Sequence, residues 1–410
     1  MFKILKNDKK TKARLGVLST PHGKIMTPSY VFVGTYGKFR HLTPKDIKRT
    51  KTQLVISNTF HLWPKTKNLR PAINYNKKTI LTSGFGKIPT MTDSGGFQVL
   101  SLAFGDKNRV GKFMTASSAE VLTKAERKSY RRSKIKITLK GVNFNLKGRK
   151  MFLGPELSMK IQEKIGADII FAFDHITSPL DDYEYNKKAV ELTDKWALRC
   201  LRASKNKNQA LFGIVQGGLF KDLRIKSAKS IGAMPFDGFG IGGSYTKKHI
   251  TKMLKWIVPY LPEEKPRHLL GVGKVADIFE AVQNGIDTFD CVIPTREARH
   301  GRLYTKTGHM DIRKGKYTKD KKVIEKGCGC LTCSTKIPRS KIRELIKSDQ
   351  TLRPVQQGLR VVSQSNPQAQ GQRYALMHNM WFFNNLLENI RKSIQKGKFT
   401  EFKKKFLKNY

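Results

Sequence analysis

Short apolar runs alternate with amphipathic segments between residues 30 and 292 of the chain. The runs are rich in Val, Ile, Leu and Phe and are bounded by Gly, Pro, Asn or Asp, which is typical of short buried strands. The predicted strands are Tyr30–Val33, Leu54–Ser57, Pro89–Thr92, Asp168–Phe173, Leu211–Val215, Gly238–Ile241, His268–Gly271 and Thr288–Val292. The predicted helices between them include Ser158–Ile165, Asn186–Ala203, Lys221–Ile231, Lys247–Val258 and Val275–Gly285.

The alternation of strand and helix predicts a parallel sheet, because two parallel neighbours need a crossover connection that a helix supplies. Eight such units favour an α/β fold of the (β/α)8 TIM-barrel type. A doubly wound open sheet is the alternative, since a strand or two can be miscounted from sequence alone.

Two regions depart from the repeating pattern. Residues 105–154 are polar and basic and include the alternating segment Lys134–Leu139, which predicts an insertion of short antiparallel strands on top of the barrel. From residue 314 the chain is basic, then polar over Gln350–Gln372, and the helical pattern resumes at Arg373–Ile394. We therefore predict a barrel over residues 1–313, a small subdomain over 314–394 and a basic helical tail over 395–410. In that tail Phe399, Phe402 and Phe406 are spaced for one helix face.

The charge of the chain is strongly positive. Lys and Arg number 80 against 31 Asp and Glu, a formal net charge of +49. Such an excess attracts polyanions and predicts salt-dependent binding to nucleic acid, although a Lys-rich genome is an alternative explanation. We expect no membrane partner and a soluble, cytoplasmic protein, because no apolar stretch approaches the roughly 20 residues of a membrane span and the N-terminus lacks a signal-peptide core.

Five cysteines are present, and three of them form the pattern Cys328-Gly-Cys330-Leu-Thr-Cys333. An odd number with this clustering favours a metal site over disulfides. Tetrahedral zinc needs a fourth ligand, for which His378 on the following helical segment is the first candidate and His309 the alternative. Three thiolates and one imidazole leave no open coordination position. The subdomain over 314–394 is therefore predicted to bind one structural Zn²⁺ per chain.

Polar residues and glycines follow the predicted strands, at the barrel end where active sites lie. Three of these residues are carboxylates, and paired carboxylates can divide nucleophilic attack and proton transfer. An Asp beside a Gln suits the edge of a guanine-like base, and an aromatic ring offers a stacking face. Each residue alone could instead cap a helix or form a turn. The converging residues are Asp93, Ser94, Gly95, Gly96, Phe97, Asp174, Gln216, Gly243, Gly271, Gly273, Lys274 and Asp290.

Several of these segments together resemble the tRNA-guanine transglycosylases, also called queuine tRNA-ribosyltransferases. They occur in that family's order and span most of the chain. The matching segments are Ser57-Asn-Thr-Phe-His-Leu62, Met91-Thr-Asp-Ser-Gly-Gly-Phe-Gln-Val99, Ala172-Phe-Asp174, Gly213-Ile-Val-Gln-Gly-Gly218, Leu270-Gly-Val-Gly273, Phe289-Asp-Cys-Val-Ile-Pro-Thr-Arg296 and the cysteine cluster with its later His.

The resemblance implies a role for each matching residue. Asp290 matches the nucleophile that attacks the ribose of the wobble guanosine, and Asp93 the general acid/base. Asp174, Gln216 and Gly243 match groups that recognise the base, while Phe97 and Leu270 match the residues that sandwich it. The segments implied to contact tRNA contain Gly271, Gly273, Lys274, Asp277, Thr295, Arg296 and Arg299. The resemblance also implies an incoming 7-deazaguanine, a homodimer and the queuosine-type branch of the family.

Two departures from the bacterial pattern border the implied pocket. Ser244-Tyr245 stands where Leu-Ala is usual, and His175-Ile176 stands where Glu-Cys is usual. The identity of the inserted base therefore stays open. The gap from Cys333 to His378 is also longer than usual, and Gln350–Gln372 is interpreted as the extra piece. Three other functions remain as alternatives: a non-catalytic tRNA-binding subunit, an enzyme that inserts deazaguanine into DNA, and an ordinary glycosidase.

Overall fold

The computed structural model of the protein describes most of the chain. The described ranges are 2–66, 79–103, 135–146, 148–178, 181–242, 249–348 and 366–410. Several sequence predictions fall outside them. These are the base-recognition residue Gly243, the departure at Ser244-Tyr245, most of the predicted insertion up to residue 134, and most of the polar segment after residue 349.

The strands within the described ranges fall into four sheets. In chain order they are β1 Phe2–Asn7, β2 Arg14–Thr20, β3 Gly23–Thr27, β4 Ser29–Val33, β5 Val55–Ser57, β6 Thr90–Thr92, β7 Ile135–Ile137, β8 Val142–Leu146, β9 Arg149–Leu153, β10 Ile169–Phe171, β11 Ala210–Val215, β12 Gly238–Ile241, β13 Arg267–Leu269, β14 Thr288–Cys291, β15 Arg302–Thr305 and β16 Gly308–Asp311.

The helices mostly follow the barrel strands. In chain order they are α1 Pro44–Arg49, α2 Thr59–Leu62, α3 Ile80–Phe85, α4 Gly96–Ala103, α5 Pro155–Ile165, α6 Tyr183–Ala203, α7 Lys221–Gly232, α8 Ile250–Ile257, α9 Val275–Gln283, α10 Ile293–Arg299, α11 Leu331–Ser334, α12 Arg339–Lys347, α13 Pro367–Gln395 and α14 Phe399–Asn409. In the part of the chain that the structure describes, no helix combines the length and the apolar composition that crossing a membrane requires.

Eight parallel strands close into a barrel, which confirms the predicted fold class and excludes the open sheet. Around the barrel the order is β4, β5, β6, β10, β11, β12, β13 and β14. The ring closes where β14 pairs with β4, with Asp290 opposite Val31. Each of the eight barrel strands agrees with its predicted range to within two residues, because Gly, Pro, Asn and Asp mark the ends of the apolar runs.

The antiparallel sheet β1–β2–β3 covers the end of the barrel where the strands begin. Its residues Phe2, Leu18 and Ile25 form one buried cluster with residues that fill the barrel interior, among them Phe171. Two polar contacts fasten the sheet to residues just before barrel strands. Arg14 pairs with buried Asp287, with Nε 2.9 Å from Oδ1, and Nδ1 of His22 lies 2.8 Å from Asp168 Oδ1. This end of the barrel is therefore closed, and the other end remains for chemistry.

The last two helices pack against the outside of the barrel. On α13, Phe383 lies 5.1 Å from the ring of Tyr30 on β4. On α14, three phenylalanines contact the ring of Phe279 on α9, as their spacing predicts. The three are Phe399, Phe402 and Phe406, at centroid distances of 6.3, 5.8 and 5.6 Å.

Helix α13 begins earlier than the sequence pattern indicates. The pattern predicts helix from Arg373, whereas the structure has it from Pro367. Asn366 caps this start, because its side chain accepts from the Ala369 N–H, and Pro367 occupies the first helical position, where no N–H is needed. The polar segment interpreted as an extra piece therefore overlaps the helix by one to two turns. Its Gln-rich composition hides the helical period.

The contact between Arg14 and Asp287 gives a stability prediction. Arg14→Leu should lower the free energy of unfolding by about 3–5 kcal/mol, because it leaves a buried carboxylate without its cation. Arg313→Leu is the matched control at a half-exposed pair with Asp311, and it should cost less than about 1 kcal/mol. Urea unfolding of both variants measures the difference, and equal losses would contradict the role assigned to the buried pair.

Candidate active site and metal centre

The polar residues predicted at the strand ends do meet at the open end of the barrel. Asp93 directly follows β6, Gln216 directly follows β11, and Asp290 is the third residue of β14. Asp174 lies three residues after the end of β10. In β14 the side chains alternate, so Phe289 faces Tyr30 in the outer layer at 5.6 Å while Asp290 faces inward.

Asp93 is held by four hydrogen bonds. Its Oδ1 accepts from the backbone N–H of Thr59 at 2.9 Å and of Gly95 at 3.1 Å. Its Oδ2 accepts from the side-chain amides of Asn58 at 2.6 Å and Gln98 at 3.2 Å. Gly95 has a φ of +82°, a backbone conformation that favours glycine. The orientation of Asp93 is therefore fixed from two neighbouring strands and the start of α4.

Burial raises the pKa of Asp93 to about 7. The hydrogen bonds from Thr59, Gly95 and Gln98 act in the opposite direction, and the carboxylate of Asp290 raises the pKa further. The two carboxylates lie at the same end of the barrel, although 197 positions separate them in the chain, from 93 to 290. A carboxyl with this pKa can both donate and accept a proton near neutral pH.

Asp174 and Gln216 form a second polar group beside the first. Asp174 Oδ2 accepts from Gln216 Nε2 at 2.5 Å, and its Oδ1 accepts from the Ser94 hydroxyl at 3.2 Å. Burial raises the pKa of Asp174 to about 6. Gln216 Oε1 is buried and has no hydrogen-bond partner within the described ranges. A ligand with an N–H group could satisfy that oxygen.

Leu270 borders the same space. A Cβ atom added at Gly242 would lie 3.1 Å from Gln216 Nε2 and 3.5 Å from Leu270 Cδ1, so the absence of a side chain there keeps the wall open. Phe97 lies in the first turn of α4 and is partly exposed, and Gly96 donates its N–H to the Ser94 hydroxyl at 3.3 Å.

Asp290 contacts a histidine that the sequence analysis did not assign to the site. His268 Nε2 lies 3.1 Å from Asp290 Oδ1, and His268 Nδ1 lies 2.9 Å from the hydroxyl of Thr288. The backbone N–H of Gly271 donates to the same Oδ1 at 3.3 Å. The available signal was the position of His268 on the strand before Asp290, two residues ahead of Leu270 and on the same face. Asn58 and Thr59 were likewise missed as partners of Asp93.

The residues implied to contact tRNA divide into exposed and buried sets. Lys274 and Arg296 are exposed, as is the backbone of Gly271. Gly273 is buried, and a Cβ there would lie 2.6 Å from the Cβ of Cys291, so this glycine serves packing. Thr295 is also buried, and its hydroxyl donates to Val292 O at 3.2 Å.

Two residues of the implied tRNA-contacting set remain, Asp277 and Arg299, and Arg299 belongs to a basic cluster. Asp277 lies in the first turn of α9, and Arg299 is half-buried at the end of α10. Burial lowers the pKa of Arg299, and the guanidinium groups of Arg40 and Arg296 lower it further. The guanidinium groups of Arg40 and Arg296 therefore lie close enough to Arg299 to act on it, at the end of α10.

The predicted metal ligands form one group beside the barrel. The ligand atoms of Cys328, Cys330, Cys333 and His378 all lie within 4.8 Å of one another. His378 Nδ1 is 3.8, 3.4 and 3.6 Å from the three sulfur atoms in that order. Bond lengths of about 2.3 Å to sulfur and 2.0–2.1 Å to nitrogen place tetrahedral N and S ligands about 3.6 Å apart. The group therefore fits a tetrahedral metal ion.

The surroundings orient the imidazole toward the thiols. His378 is fully buried on α13, and its Nε2 lies 2.7 Å from the carbonyl oxygen of Tyr304 on β15. That contact places the proton on Nε2 and leaves Nδ1 to face the sulfurs. The alternative ligand, His309, is not part of this group. The site can hold a metal ion in a closed Cys3His set.

The fold and the site together define a β/α-barrel enzyme with an accessory Cys3His centre. Sequence comparison gives the family: the profile of the family described as Queuine tRNA-ribosyltransferase matches residues 8–357 and 359–410. The chain belongs to this family, which confirms the resemblance and the enzyme class predicted from the sequence.

Individual relatives agree over nearly their whole length. A queuine tRNA-ribosyltransferase of Desulforamulus reducens is 38% identical over 417 residues, covering 99% of this chain and 98% of the relative. One from Francisella tularensis subsp. novicida is 36% identical, covering 100% and 98%. A putative queuine tRNA-ribosyltransferase of Archaeoglobus fulgidus is 37% identical, covering 97% and 96%.

The raised pKa of Asp174 gives a prediction for stability against pH. Because the folded-state pKa of about 6 lies above the ordinary value of 3.8, the proton stabilises the folded state below about pH 4, and this contribution is lost as the pH rises through 6. Asp174→Asn carries no such titration, and Gln216 Oε1 can accept from the new amide. We therefore compare the free energy of unfolding of Asp174→Asn with that of the wild type. From about pH 4 to pH 7 the variant's value should rise relative to the wild-type value by on the order of 3 kcal/mol.

Urea unfolding across that pH range measures the shift. Asp311→Asn is the control, because Arg313 lowers the pKa of Asp311 and no shift in the variant's favour is expected. A difference between wild type and Asp174→Asn that does not depend on pH would contradict the burial of this carboxyl.

The Cys3His group gives a prediction for metal content. Cys330→Ser should lose most of the bound metal and unfold at lower temperature, because removing one thiolate opens a closed ligand set. Cys200→Ala, which changes a buried thiol far from the group in the chain, should keep the wild-type metal content. Elemental analysis of the purified proteins distinguishes the two. Unchanged metal in Cys330→Ser would remove this residue from the ligand set.

Proposed function

We propose that the protein exchanges the wobble guanine of tRNA for a 7-deazaguanine, queuine or its precursor, by double displacement. The observation that carries the proposal is the placement of Asp93 and Asp290 at the same end of one closed barrel, in a chain of the queuine tRNA-ribosyltransferase family. No redox cofactor or nucleotide energy source is needed for such an exchange.

In the first displacement, a carboxylate oxygen of Asp290 attacks the ribose C1′ atom of the wobble nucleoside. The new O–C1′ bond forms as the bond from C1′ to N9 breaks, and the electron pair of that bond goes to the departing guanine. Asp93 supplies the proton that the departing base takes up. Its pKa of about 7 suits this role, because a large part of the population is protonated at neutral pH.

In the second displacement the incoming base reverses these steps. It gives its N9 proton to Asp93, its N9 atom attacks C1′, and Asp290 leaves as a carboxylate. One carboxyl thus acts as nucleophile and leaving group, and the other transfers a proton in each direction, as in the two-carboxylate strategy of retaining glycosidases.

Base recognition is assigned to the second polar group. Asp174 can accept from the ring N–H and the exocyclic amine of a guanine-like base, and the Gln216 amide can donate to its carbonyl. Leu270 and Phe97 would hold the faces of the ring, and the backbone at Gly243 would complete the edge. His175 follows Asp174 directly, and its Nε2 lies 2.9 Å from the hydroxyl of Tyr185. The identity of the 7-substituent depends on this side of the pocket.

The tRNA backbone is assigned to the basic surface around the mouth. The net charge of +49 and the cluster of Arg40, Arg296 and Arg299 support this assignment. Lysine and arginine contacts to phosphates release counterions, so binding should weaken steeply with salt. We further propose a homodimer, as the resemblance implies, and action in the cytoplasm, where tRNA is found.

Zinc is the metal we assign to the Cys3His group. Three thiolates and one imidazole are a ligand set of structural zinc, which would contribute folding energy and leave no position for a substrate. Cys328 and Cys330 lie on the loop into α11, Cys333 lies within α11, and His378 lies on α13. The ion would therefore join that loop to the long helix that packs against β4.

The direct test is a covalent adduct between the protein and tRNA. Wild-type protein incubated with tRNA and guanine should give an adduct that survives a denaturing gel, and Asp290→Asn should give none. Asp93→Asn is the companion variant and should bind tRNA normally while guanine exchange slows by about a hundredfold or more. Adduct formation by Asp290→Asn would refute its role as the nucleophile. Exchange into DNA instead of tRNA would favour the DNA-acting alternative.

A further inference from the structure

The contact between His268 and Asp290 joins two polar side chains that are both largely buried. The side chain of His268 is fully buried and that of Asp290 is 14% exposed. The imidazole also packs against the ring of Phe171, with centroids 5.4 Å apart, inside the barrel. A polar ring in such a place needs both of its nitrogens satisfied. Thr288 and Asp290 supply those two partners.

The chemistry of the partners decides where the proton lies. An ionised carboxylate only accepts hydrogen bonds, so His268 Nε2 must carry a proton for its 3.1 Å contact with Asp290 Oδ1 to be favourable. The hydroxyl of Thr288 can then donate to Nδ1 at 2.9 Å. The carboxylate therefore selects the tautomer in which Nε2 carries the proton, and the hydroxyl of Thr288 satisfies the other ring nitrogen.

Both described hydrogen bonds to the Asp290 carboxylate fall on the same oxygen. The imidazole of His268 and the backbone N–H of Gly271 each donate to Oδ1. Two donors on one oxygen fix the rotation of the carboxylate. Oδ2 is thereby left as the oxygen that attacks, and Oδ1 becomes the carbonyl oxygen of the ester.

We propose that His268 is a positioning residue that holds the Asp290 carboxylate for attack and stabilises the free carboxylate relative to the ribosyl ester. This inference rests on the proposed double displacement. A hydrogen bond to a charged oxygen is stronger than one to a neutral ester carbonyl, and more so away from water. Losing the donor therefore shifts the balance toward the ester and slows the return of Asp290 to its carboxylate form.

Two matched substitutions separate positioning from simple packing. His268→Gln can place an amide N–H where Nε2 now lies, whereas His268→Asn can reach only the position of Nδ1. Full-length variants are incubated with labelled tRNA and guanine, and two quantities are measured: the exchange rate at saturating tRNA and the fraction of enzyme in the denaturing-gel adduct. Phe171→Leu is the control, because it alters the packing of the same ring without removing a donor.

The expected result is specific to His268→Asn. Its exchange rate should fall about tenfold or more while its adduct fraction rises above that of the wild type, because a charge-assisted hydrogen bond is lost. His268→Gln should restore both quantities to within a few-fold of the wild type. Phe171→Leu should leave the adduct fraction unchanged. If the Asn variant does not fold, Thr288→Val carries the test with a smaller change in the same direction.

Other results would overturn the role of His268. One such result is an adduct fraction at or below the wild-type value in folded His268→Asn, or in Thr288→Val if the Asn variant does not fold. It would show that the His268 donor does not stabilise the free carboxylate relative to the ribosyl ester. Equal behaviour of the Asn and Gln variants would show that the side chain only fills space. An absence of adduct in the wild type itself would instead contradict the double displacement.

Discussion

The pairing of β14 with β4 closes the barrel, and the position of every active-site group depends on that closure. It places Asp290 three strand positions away from β6, the strand that Asp93 follows. Strand alternation then decides which residues point inward, so Asp290 faces the cleft and Phe289 faces the helices. Two carboxylates that are distant in the chain thus lie at the same end of the barrel. An open sheet of the same strands would leave these two strands at separated positions.

Bringing carboxylates together in a buried cleft is costly, and the surrounding donors offset part of that cost. Asp93 receives four hydrogen bonds, Asp174 receives two, and Asp290 receives a backbone and an imidazole contact. The remaining cost appears as raised pKa values at Asp93 and Asp174. These are the values that proton transfer near neutral pH needs. At the opposite end of the barrel Asp287 is fully paired with Arg14. The stabilising ion pair and the carboxylates proposed for chemistry therefore lie at different ends of the barrel.

Much of this arrangement was predictable from local sequence. The barrel strands are short apolar runs with clear ends, the three cysteines have metal-ligand spacing, and Asp93, Asp174 and Asp290 all follow or end a strand. The contacts between strands were not predictable, because they depend on register. His268 lies 22 positions from Asp290, and only the alignment of β13 with β14 brings their side chains together. Similarly, the burial of Thr295 and Gly273 follows from packing that a motif does not reveal.

In the proposed double displacement Asp290, and not Asp93, forms the bond to ribose. The most direct measurement digests the trapped protein–tRNA adduct with nuclease and protease and locates the ribosylated residue by mass spectrometry. We expect the added mass on Asp290, in the peptide that spans β14. A modification on Asp93, or on any residue outside the barrel mouth, would contradict it.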